Sequence, residues 1–221
     1  CFRLPVDSAK VLEYEVVTPD YANRIVDALE WKVKGSIILK SELLMLDILA
    51  NNNWKRPIYF ANTMPRDSYF GLQNYMQHEG FTYRLVPFKV QSDGNQFGYF
   101  GEVQPDIMYT NMMEEFSFGN MEDPDIFLDE NNMRFVTNLR LNFSRLADVL
   151  AKRGDVERSK AVLNKCVELT VNSNTPKDIT LLQIVDTYFQ IDENEKGFEL
   201  AKQVGQHLSL IHISEPTRQS P

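Results

Sequence analysis

The segment from Trp54 to Tyr59 holds the side chains best suited to contact a ligand, namely Trp54, Arg56 and Tyr59. Indole and phenol rings offer flat apolar faces to a sugar ring, and a guanidinium group donates several hydrogen bonds to hydroxyl groups or to an anion. A structural interpretation stays open beside this one, in which Trp54 fills the core and Arg56 pairs with a carboxylate such as Asp47. The spacing therefore predicts a candidate substrate-binding turn at these three residues.

The histidines do not belong to a recognisable catalytic constellation, so we predict no catalytic residue. A catalytic histidine needs a nucleophile and an orienting group, and the sequence has no G-x-S-x-G motif. His78 and Glu79 precede Gly80, a residue type that commonly ends helices. Because the helix dipole favours histidine near a helix C-terminus, we predict His78 to be a surface residue at the end of a helix.

The acidic and glycine-rich segments indicate neither a metal site nor a cofactor site. The acidic run from Glu122 to Glu130 lacks the alternating ligands, central glycine and final glutamate of a calcium loop. We interpret it as a solvated connector that ends in a helix cap, with a weak cation site as the alternative. Gly94, Gly98 and Gly101 do not lie between a strand and a helix, as the glycines of a phosphate-binding loop do. We therefore expect no metal and no cofactor.

The composition excludes some classes of partner. The 221 residues carry a formal net charge of -8, whereas a nucleic-acid-binding surface is basic, and the same charge argues against docking flat on an anionic membrane surface. Cys1 and Cys166 are too few and too far apart to indicate a disulfide framework or a metal site. No apolar run approaches the roughly 20 residues that span a bilayer. Since the chain begins at Cys1 within sequence that predicts structure, we expect a fragment whose membrane spans are missing.

The elements around the candidate turn predict an α/β domain. Ser41 is expected to cap a helix with Glu42 in its first turn, and the nearly continuous apolar composition of this helix predicts burial on most sides. Asn51–Asn53 ends the helix, because asparagine tolerates the left-handed conformation. Pro57 then opens a short strand over Ile58–Ala61.

The following segment predicts a second helix and a second strand. Asp67 or Ser68 is expected to cap the helix, Gly80 to end it, and Phe81–Val86 to form the strand. Strand, helix and strand joined by short loops predict a βαβ unit with parallel strands. The apolar face of this helix carries residues whose role we interpret as packing: Tyr69, Phe70, Leu72, Tyr75 and Met76.

The N-terminal part predicts less regular structure. Phe2–Val17 is expected to be extended or irregular, and Thr18 and Pro19 to open a helix that reaches Leu29. Trp31–Leu39 is more typical of a strand. Gln91–Gly101 is rich in glycine and asparagine, which predicts a surface loop or hairpin.

The C-terminal part predicts α-helices. Pro105–Phe116 is expected to form one helix. Asp129 is expected to cap a long helix that runs to about Arg153, because apolar residues then recur every three or four positions.

Two helical hairpins follow from an internal repeat. The pattern from Phe143 to Cys166 resembles a tetratricopeptide repeat with Gly154 at its turn, and Leu181–Tyr188 repeats its first helix at a constant offset. The standard repeat is about 34 residues long, so we interpret the extra residues as an insertion around Pro176.

The predicted fold class is therefore an α/β (α+β) domain with a small sheet including a βαβ unit, followed by tetratricopeptide-like α-helical hairpins. We place the α/β domain at residues 1–118, an acidic connector with the start of the long helix at 119–135, and the hairpins at 136–208. Residues 209–221 resemble a translated sequencing adapter and have no helical period, so we exclude them from the fold as an artefact tail.

Four segments carry a resemblance to a known family: ANNNWKRPIYFA, YFGLQNYMQHEGFTYRLVPF, GNMEDPDIFLDENNMRF and NFSRLADVLAKRG. Together they resemble the C-terminal soluble region of a large bacterial family of multi-spanning membrane proteins, known mainly as a domain of unknown function. That family is similar to the protein O-mannosyltransferases, which are GT-C membrane glycosyltransferases that use lipid-linked sugars. The resemblance reaches about Leu208 and implies that the catalytic machinery lies in the membrane half.

The resemblance implies a non-catalytic, extracytoplasmic (periplasmic) region of a polytopic membrane glycosyltransferase-like protein, which supports acceptor or lipid-linked sugar handling. The implied partners are the membrane-embedded part of the same chain and a glycan, a lipid-linked sugar or an acceptor protein, with no nucleic acid. An alternative hypothesis is a protein-interaction module that uses the helical hairpins. A free-standing enzyme is a third hypothesis, for which the sequence offers no nucleophile, metal or cofactor constellation.

Overall fold

A computed structural model describes residues 1–33, 37–91, 100–172 and 174–214. The chain divides into two compact units, Cys1–Gln104 and Pro105–Pro221, whereas the sequence analysis placed the end of the α/β domain at residue 118. Gly35, Gly94, Gly98 and residues 215–221 lie outside the described residues, and so does most of the loop that was predicted between Gln91 and Gly101.

The first unit is a mixture of short strands and helices. Its elements in chain order are β1 (Phe2–Pro5), α1 (Ser8–Glu13), a 3-10 helix (Pro19–Arg24), β2 (Ala28–Trp31), α2 (Lys40–Asn52), β3 (Tyr59–Ala61), 3-10 helices at Arg66–Tyr69 and Leu72–Tyr75, β4 (Met76–His78), β5 (Thr82–Leu85) and β6 (Glu102–Val103). The mixed α/β class of this part of the chain is confirmed.

The sheet topology differs from the predicted parallel βαβ unit. β1 and β2 form one antiparallel pair, and the other sheet has the order β3-β5-β4-β6. β5 is antiparallel to both β3 and β4, and only β4 and β6 are parallel. The βαβ prediction is wrong because the segment before β4 forms only short 3-10 helices. Gly80, at φ 124, then lies in a tight hairpin in which the Glu79 N–H donates to the Thr82 carbonyl at 3.0 Å.

Two further predictions for the first unit are wrong. The helix opened by Pro19 is a short 3-10 helix that ends at Arg24, and Thr18 makes no side-chain capping bond there. The strand that pairs with β1 is Ala28–Trp31, so the predicted strand Trp31–Leu39 begins where the real one ends. A short apolar run does not by itself distinguish a helix from a strand. This ambiguity explains why the helix was predicted too long and the strand was predicted too late in the chain.

The core of the first unit is aromatic and aliphatic, and the predicted packing role of Tyr69, Phe70 and Tyr75 is confirmed, since all three are buried. Trp54 also lies in this core cluster. Tyr69 packs edge-on against Tyr83, with ring centroids 5.9 Å apart. These contacts bury the segment that was predicted to be a helix, although its backbone forms two short 3-10 helices.

Helix α2 begins and ends as local sequence directs, but its surroundings differ from the prediction. The Glu42 carboxylate accepts a hydrogen bond of 2.7 Å from the Leu39 N–H, so Leu39 rather than Ser41 occupies the cap position. Asn53 ends the helix in the left-handed conformation at φ 48, as predicted. The prediction of burial on most sides is wrong: Leu49 is buried, whereas Leu43 is 61% exposed.

The second unit is helical. It contains α3 (Pro105–Thr110) with a following π-helical turn (Asn111–Glu115), α4 (Glu130–Lys152), α5 (Val156–Thr170), a 3-10 turn (Ile179–Leu181), α6 (Leu182–Gln190) and α7 (Asn194–Ser214). Asp129 caps α4 by accepting from the Asn132 N–H at 2.8 Å, as predicted. The expectation that the tail after Leu208 is not helical is wrong as far as Ser214.

Two antiparallel helical hairpins, α4/α5 and α6/α7, make up most of this unit. Gly154 turns the first hairpin at φ 79, and the small side chain of Ser159 allows its hydroxyl to donate to the Ala147 carbonyl at 2.8 Å. Positions that correspond in the internal repeat have similar burial. Phe143 and its counterpart Leu181, for example, are both fully buried. Their likeness to tetratricopeptide repeats stays a prediction.

The segment between the hairpins is held by Arg140, which is fully buried on α4. Its guanidinium donates to the Pro176 carbonyl at 2.7 Å and to the Thr170 hydroxyl at 3.3 Å. The acidic connector attaches to the same segment, because the Asn172 side chain donates to the Met121 carbonyl at 2.8 Å. The predicted insertion is therefore an ordered part of the unit in its described residues.

Candidate functional site

The turn after α2 is formed by two residues in the left-handed conformation and by one side-chain hydrogen bond. Asn53 and Trp54 both have positive φ angles, 48 and 61. The Asn52 amide donates to the Arg56 carbonyl at 2.8 Å, which closes the turn. Left-handed backbone is uncommon for a large residue, so the burial of the Trp54 ring, which is only 8% exposed, holds this conformation in place.

The three predicted site residues therefore have different surroundings. Trp54 packs in the core, Arg56 lies on the surface, and Tyr59 is 47% exposed. The ion pair considered between Arg56 and Asp47 is not among those formed by the described residues; the Asp47 carboxylate instead accepts from the Asn51 amide at 3.0 Å. Arg56 and Tyr59 are therefore the members of the predicted turn that a ligand can reach, and their role as a binding site stays a prediction.

Tyr59 belongs to a row of polar side chains that runs across the sheet. It pairs with Arg84 on β5, Arg84 pairs with Gln77 on β4, and Gln77 pairs with Glu102 on β6. Residues directly opposite each other in a sheet share one face, and Glu79 lies on this face too because it follows Gln77 by two positions. We call these five residues the polar row. No local pattern in the sequence indicates this row, because its residues come from four separate segments.

The Tyr59 end of the polar row combines a phenol, a carboxylate and a guanidinium. Arg84 Nη1 lies 3.7 Å from Glu79 Oε1. Burial raises the pKa of the Glu79 carboxyl, against the opposing effects of Arg84 and of a hydrogen bond with Tyr59. Burial and then the negative charge of Glu79 raise the pKa of the Tyr59 hydroxyl. At neutral pH the hydroxyl therefore stays protonated, so it can donate one hydrogen bond and accept others.

The other end of the polar row is occupied by a structural ion pair. Arg24 donates to both oxygens of Glu102, with both distances 2.7 Å. The Arg24 guanidinium also lies over the Phe88 ring, 4.4 Å from its centroid. The hydrogen bond with Glu102 raises the pKa of Arg24. This bidentate pair ties the first 3-10 helix to β6 and leaves the Tyr59 end as the part with an exposed aromatic ring.

His78 lies on the opposite face of the sheet and is fully buried, so its predicted place at a helix end on the surface is wrong. Its ring stacks on Tyr83, with centroids 4.7 Å apart, and Tyr83 stacks on Phe100 at 4.4 Å. The available signal was alternation: Met76, Gln77 and His78 alternate between the two faces once the segment is recognised as a strand.

The acidic connector contains exposed carboxylates, and its prediction as a solvated connector and helix cap is confirmed. The described residues contain no cluster of three or more histidine, cysteine or acidic side chains suited to hold a metal ion. The same part of the chain has no helix both long and apolar enough to cross a membrane.

The second unit contains a groove of about 480 Å³ beside α5 and the α6/α7 hairpin. Asn164 is one of the residues that line it, and its side-chain oxygen accepts from the Tyr188 hydroxyl at 3.1 Å and from Lys196 Nζ at 2.8 Å. The other residues that line the groove are Val167, Glu168, Glu195, Glu199, Leu200 and Gln203. A groove lined by both apolar side chains and glutamates suits a cationic, partly apolar segment.

Comparison with known proteins found a similarity for the N-terminal part of the chain. Residues 1–106 match the family model described as TMEM260-associated domain 2, a domain of unknown function linked to a membrane protein family. The matched range contains the candidate turn and the whole polar row. No curated protein and no solved structure matches the chain.

Proposed function

We propose that this chain is a non-catalytic, extracytoplasmic region of a membrane glycosyltransferase-like protein. In this proposal the first unit binds a sugar of the acceptor or of the lipid-linked donor at the exposed end of the polar row. The membrane-embedded part of the same protein would carry the transfer reaction. The observation that carries the proposal is the match of residues 1–106 to a TMEM260-associated domain, together with the resemblance to protein O-mannosyltransferases.

The geometry of the Tyr59 end supports sugar binding. Tyr59 is 47% exposed, and an aromatic face beside charged hydrogen-bonding groups can contact the C–H face and the hydroxyl groups of a sugar together. Arg84 is partly exposed, with 16% of its side chain accessible. Arg56 follows the same turn and lies on the surface. These three side chains offer one apolar surface and two sets of N–H donors.

The absence of a catalytic role is proposed from how the carboxylates are held. Glu102 is bound by both oxygens to Arg24, and Glu79 lies beside Arg84 and is only 3% exposed. A general base or nucleophile must reach the reacting group. The two carboxylates of the polar row are therefore better suited to orient Arg24 and Arg84 than to act on a substrate.

Binding can be tested by titrating the full chain with methyl α-mannoside and with α-mannosyl phosphate, followed by NMR chemical shifts and calorimetry. We expect shifts that centre on β3 and β5, and loss of binding in Tyr59→Ala and Arg56→Ala. Arg66→Ala is the matched control, because Arg66 is another exposed arginine of the first unit. Equal binding by the Tyr59→Ala variant and the wild type would exclude this surface as the site.

The lack of catalysis has a separate test. The chain is incubated with a lipid-linked mannose in detergent together with an acceptor peptide, and the peptide is analysed by mass spectrometry. We expect no transfer, because the proposal places the reacting groups in the membrane part. Transfer that is lost in Glu79→Gln would show instead that the polar row is an active site.

A second function, protein interaction through the helical hairpins, is favoured by the groove of the second unit. Three glutamates line it, with one lysine that Asn164 already engages. We propose that it takes a short segment with lysine or arginine on both sides of an apolar anchor. A fluorescein-labelled Lys-Lys-Leu-Lys-Lys peptide is expected to bind, and Glu199→Lys to weaken it; binding of the Glu-Glu-Leu-Glu-Glu peptide with equal affinity would contradict this specificity.

A further inference from the structure

One side of the second hairpin exposes apolar side chains from the 3-10 turn before α6 and from both helices. Ile179 is 60% exposed, Leu182 is 47% exposed and Phe198 is 68% exposed. Phe189 joins them, because its partly buried ring packs edge-on against Phe198. We call these four residues the hairpin face. Exposed apolar patches of this kind often mark interaction sites.

The hairpin face follows the edge along which α6 lies beside α7. Leu182 and Phe189 are seven positions apart, which places them two turns apart on one edge of α6. Ile179 precedes Leu182 by three positions and extends this edge through the 3-10 turn, in which every third side chain is aligned. That turn packs against α7, and Phe189 approaches α7 at Gly197. The face therefore spans two adjacent helices rather than the circumference of one.

Small and apolar residues of α7 follow the same edge. At 100° per residue, Ala201, Gly205 and Leu208 lie within about 80° of Phe198 around the helix axis. Ala201 and Leu208 are partly buried, and no atom of the described residues lies within 4 Å of a Cβ placed at Gly205. None of the residues that line the groove of the second unit belongs to this edge. The hairpin face and the groove are therefore separate surfaces.

The internal repeat indicates what kind of element covers such a position. Leu182 corresponds to Ser144 of α4 at the constant offset of the repeat. Ser144 is fully buried, and its hydroxyl donates to the side-chain oxygen of Gln183 on α6 at 3.0 Å. In the first hairpin this position is thus covered by a helix of another hairpin. Because the equivalent position of the second hairpin is apolar and exposed, we expect a helical hairpin to cover it too.

We infer that the hairpin face is the contact surface between two copies of this chain. In this arrangement α6 of one copy lies along α7 of the other, so each copy covers the face of its partner. A two-fold contact of this kind uses the same surface on both copies, and the hairpin face supplies the apolar part of both. The inference goes beyond the proposed function, since neither the sugar site nor the groove takes part in it.

The charges that border the face support a second copy as the occupant. Asp186 borders the α6 edge and Lys202 borders the α7 edge, and both are exposed. Asp186 precedes Phe189 by three positions and Lys202 follows Phe198 by four. Because the helices are antiparallel and the two rings are in contact, the two charges lie at nearly the same level of the hairpin.

This placement makes the face complementary to itself. Asp186 accepts a hydrogen bond from the neutral Gln190 amide at 2.9 Å, which leaves its negative charge uncompensated. A two-fold axis parallel to the helices brings Asp186 of each copy to the partner's Lys202. If α6 instead lay on α6 of the other copy, the two Asp186 carboxylates would approach each other, and like charges across an interface are unfavourable. The charge pattern therefore favours the arrangement of α6 along α7.

Dimerisation can be tested by sedimentation velocity of the full chain from about 1 μM to about 1 mM, a range that covers weak and moderate dimers. We expect a dimer whose fraction rises with concentration. The double variant Leu182→Gln, Phe198→Gln should dimerise at least about a hundredfold more weakly, because two apolar side chains are lost from each copy. Leu43→Gln, Leu44→Gln is the matched control, because it removes two exposed leucines of the first unit and should leave the dimer unchanged.

Folding of the double variant has its own control. Both replaced positions are exposed and glutamine is a good helix former. At a concentration where the wild type is monomeric, the variant should therefore keep the circular dichroism and the melting temperature of the wild type. The comparison is made at low concentration because dimerisation itself raises the melting temperature.

A charge exchange tests whether the contact joins two copies. Asp186→Lys and Lys202→Asp should each weaken dimerisation about tenfold, because each substitution places like charges on both sides of the interface. An equimolar mixture of the two single variants should form a mixed dimer as strong as that of the wild type, since each chain then supplies the charge that the other lacks. Such rescue on mixing cannot arise from a contact within one chain.

Three results would overturn the inference. The first is a wild-type chain that stays monomeric throughout the concentration series, which would leave the face to another kind of helix. The second is a Leu182→Gln, Phe198→Gln variant that dimerises as the wild type does. The third is a mixture of the two charge variants that is no more dimeric than either variant alone.

Discussion

Gly197 on α7 faces the ring of Phe189 on α6 so closely that a Cβ atom at position 197 would lie 2.8 Å from Phe189 Cε1. In the second hairpin, α6 and α7 therefore approach so closely at Gly197 that a side chain there fits only if the Phe189 ring moves. Phe189 is held in turn by Phe198, with which it packs edge-on at a centroid distance of 5.1 Å. The close approach of the two helices thus depends on one glycine.

Two alanine substitutions in α7 should have opposite effects. Gly205→Ala is expected to stabilise the protein by about 0.5–1 kcal/mol, because alanine is the better helix former and no atom of the described residues lies within 4 Å of the new Cβ. Gly197→Ala gains the same propensity but displaces Phe189, and overpacking of this kind costs about 1–3 kcal/mol. We expect a net loss, measured as the free energy of unfolding in urea. Equal stabilisation by both variants would mean that the Phe189 ring moves freely.

Trp54→Ala should destabilise the first unit strongly. The ring is 8% exposed and lies in the core cluster, and truncation of a buried large aromatic residue costs about 3–5 kcal/mol. Arg56→Ala is the comparison, because this side chain is exposed and exposed positions usually change stability by less than about 0.5 kcal/mol. Chemical denaturation of both variants measures the difference. A Trp54→Ala variant with wild-type stability and impaired mannoside binding would assign Trp54 to the binding surface instead.

Arg140→Met should destabilise the second unit. Methionine fills a similar volume but leaves the carbonyl oxygens of Thr170 and Pro176 without this donor, and hydrogen bonds to a charged group contribute about 1.5–3 kcal/mol each. Arg134→Met is the control on the same helix, since Arg134 is 74% exposed and pairs only locally with Glu130. Hydrogen exchange should also quicken for residues 174–180 in the Arg140 variant. Unchanged exchange there would show that other contacts hold this segment.

Acid should weaken the first hairpin through Asp155. The side-chain hydrogen bond from Arg158 lowers the pKa of this carboxyl from its ordinary value of 3.8, at a distance of 2.6 Å. A lowered folded-state pKa contributes stability above the unfolded value, and that stability is lost as the pH falls through the folded pKa. Because the carboxylate is largely solvated, we expect less than about 1 kcal/mol.

Thermal melts between about pH 5 and pH 2 test this linkage. Asp155→Asn keeps a capping oxygen but not the charge, so its melting temperature should fall less with acid than that of the wild type. Arg158→Gln should reduce the acid dependence in the same way. Parallel pH curves for the wild type and both variants would show that other carboxylates control acid unfolding.

Removal of residues 209–221 should leave the stability of the chain unchanged. Helix α7 extends to Ser214, but those of its described side chains that are buried, Leu200 and Val204, precede this segment. The Ser209 hydroxyl bonds only locally, to the Gly205 carbonyl at 2.8 Å. A truncated chain that ends at Leu208 is therefore expected to keep its melting temperature. A fall of several degrees would show that the tail packs on the protein.

The sequence by itself determined the features that depend on neighbouring residues. Asp129 caps α4, Asn53 ends α2 and Gly154 turns the first hairpin, because capping and left-handed turns involve only nearby backbone groups. The periodic apolar positions of α4 correctly predicted a buried face. The turn containing Trp54, Arg56 and Tyr59 was also found in this way, although sequence alone did not show which of the three side chains is buried.

Only the tertiary structure decided what depends on distant partners. Met76–His78 is a strand because β5 and β6 pair with it on both sides, and a run of three residues carries no period that distinguishes it from a helix. The same pairing places Tyr59 beside Arg84 and Glu79, residues that are remote in the chain. Helix α2 has apolar residues on both of its sides, so its composition indicated burial. Among the described residues of the first unit, only one side of α2 has a partner, because burial requires an opposing surface that local sequence does not specify.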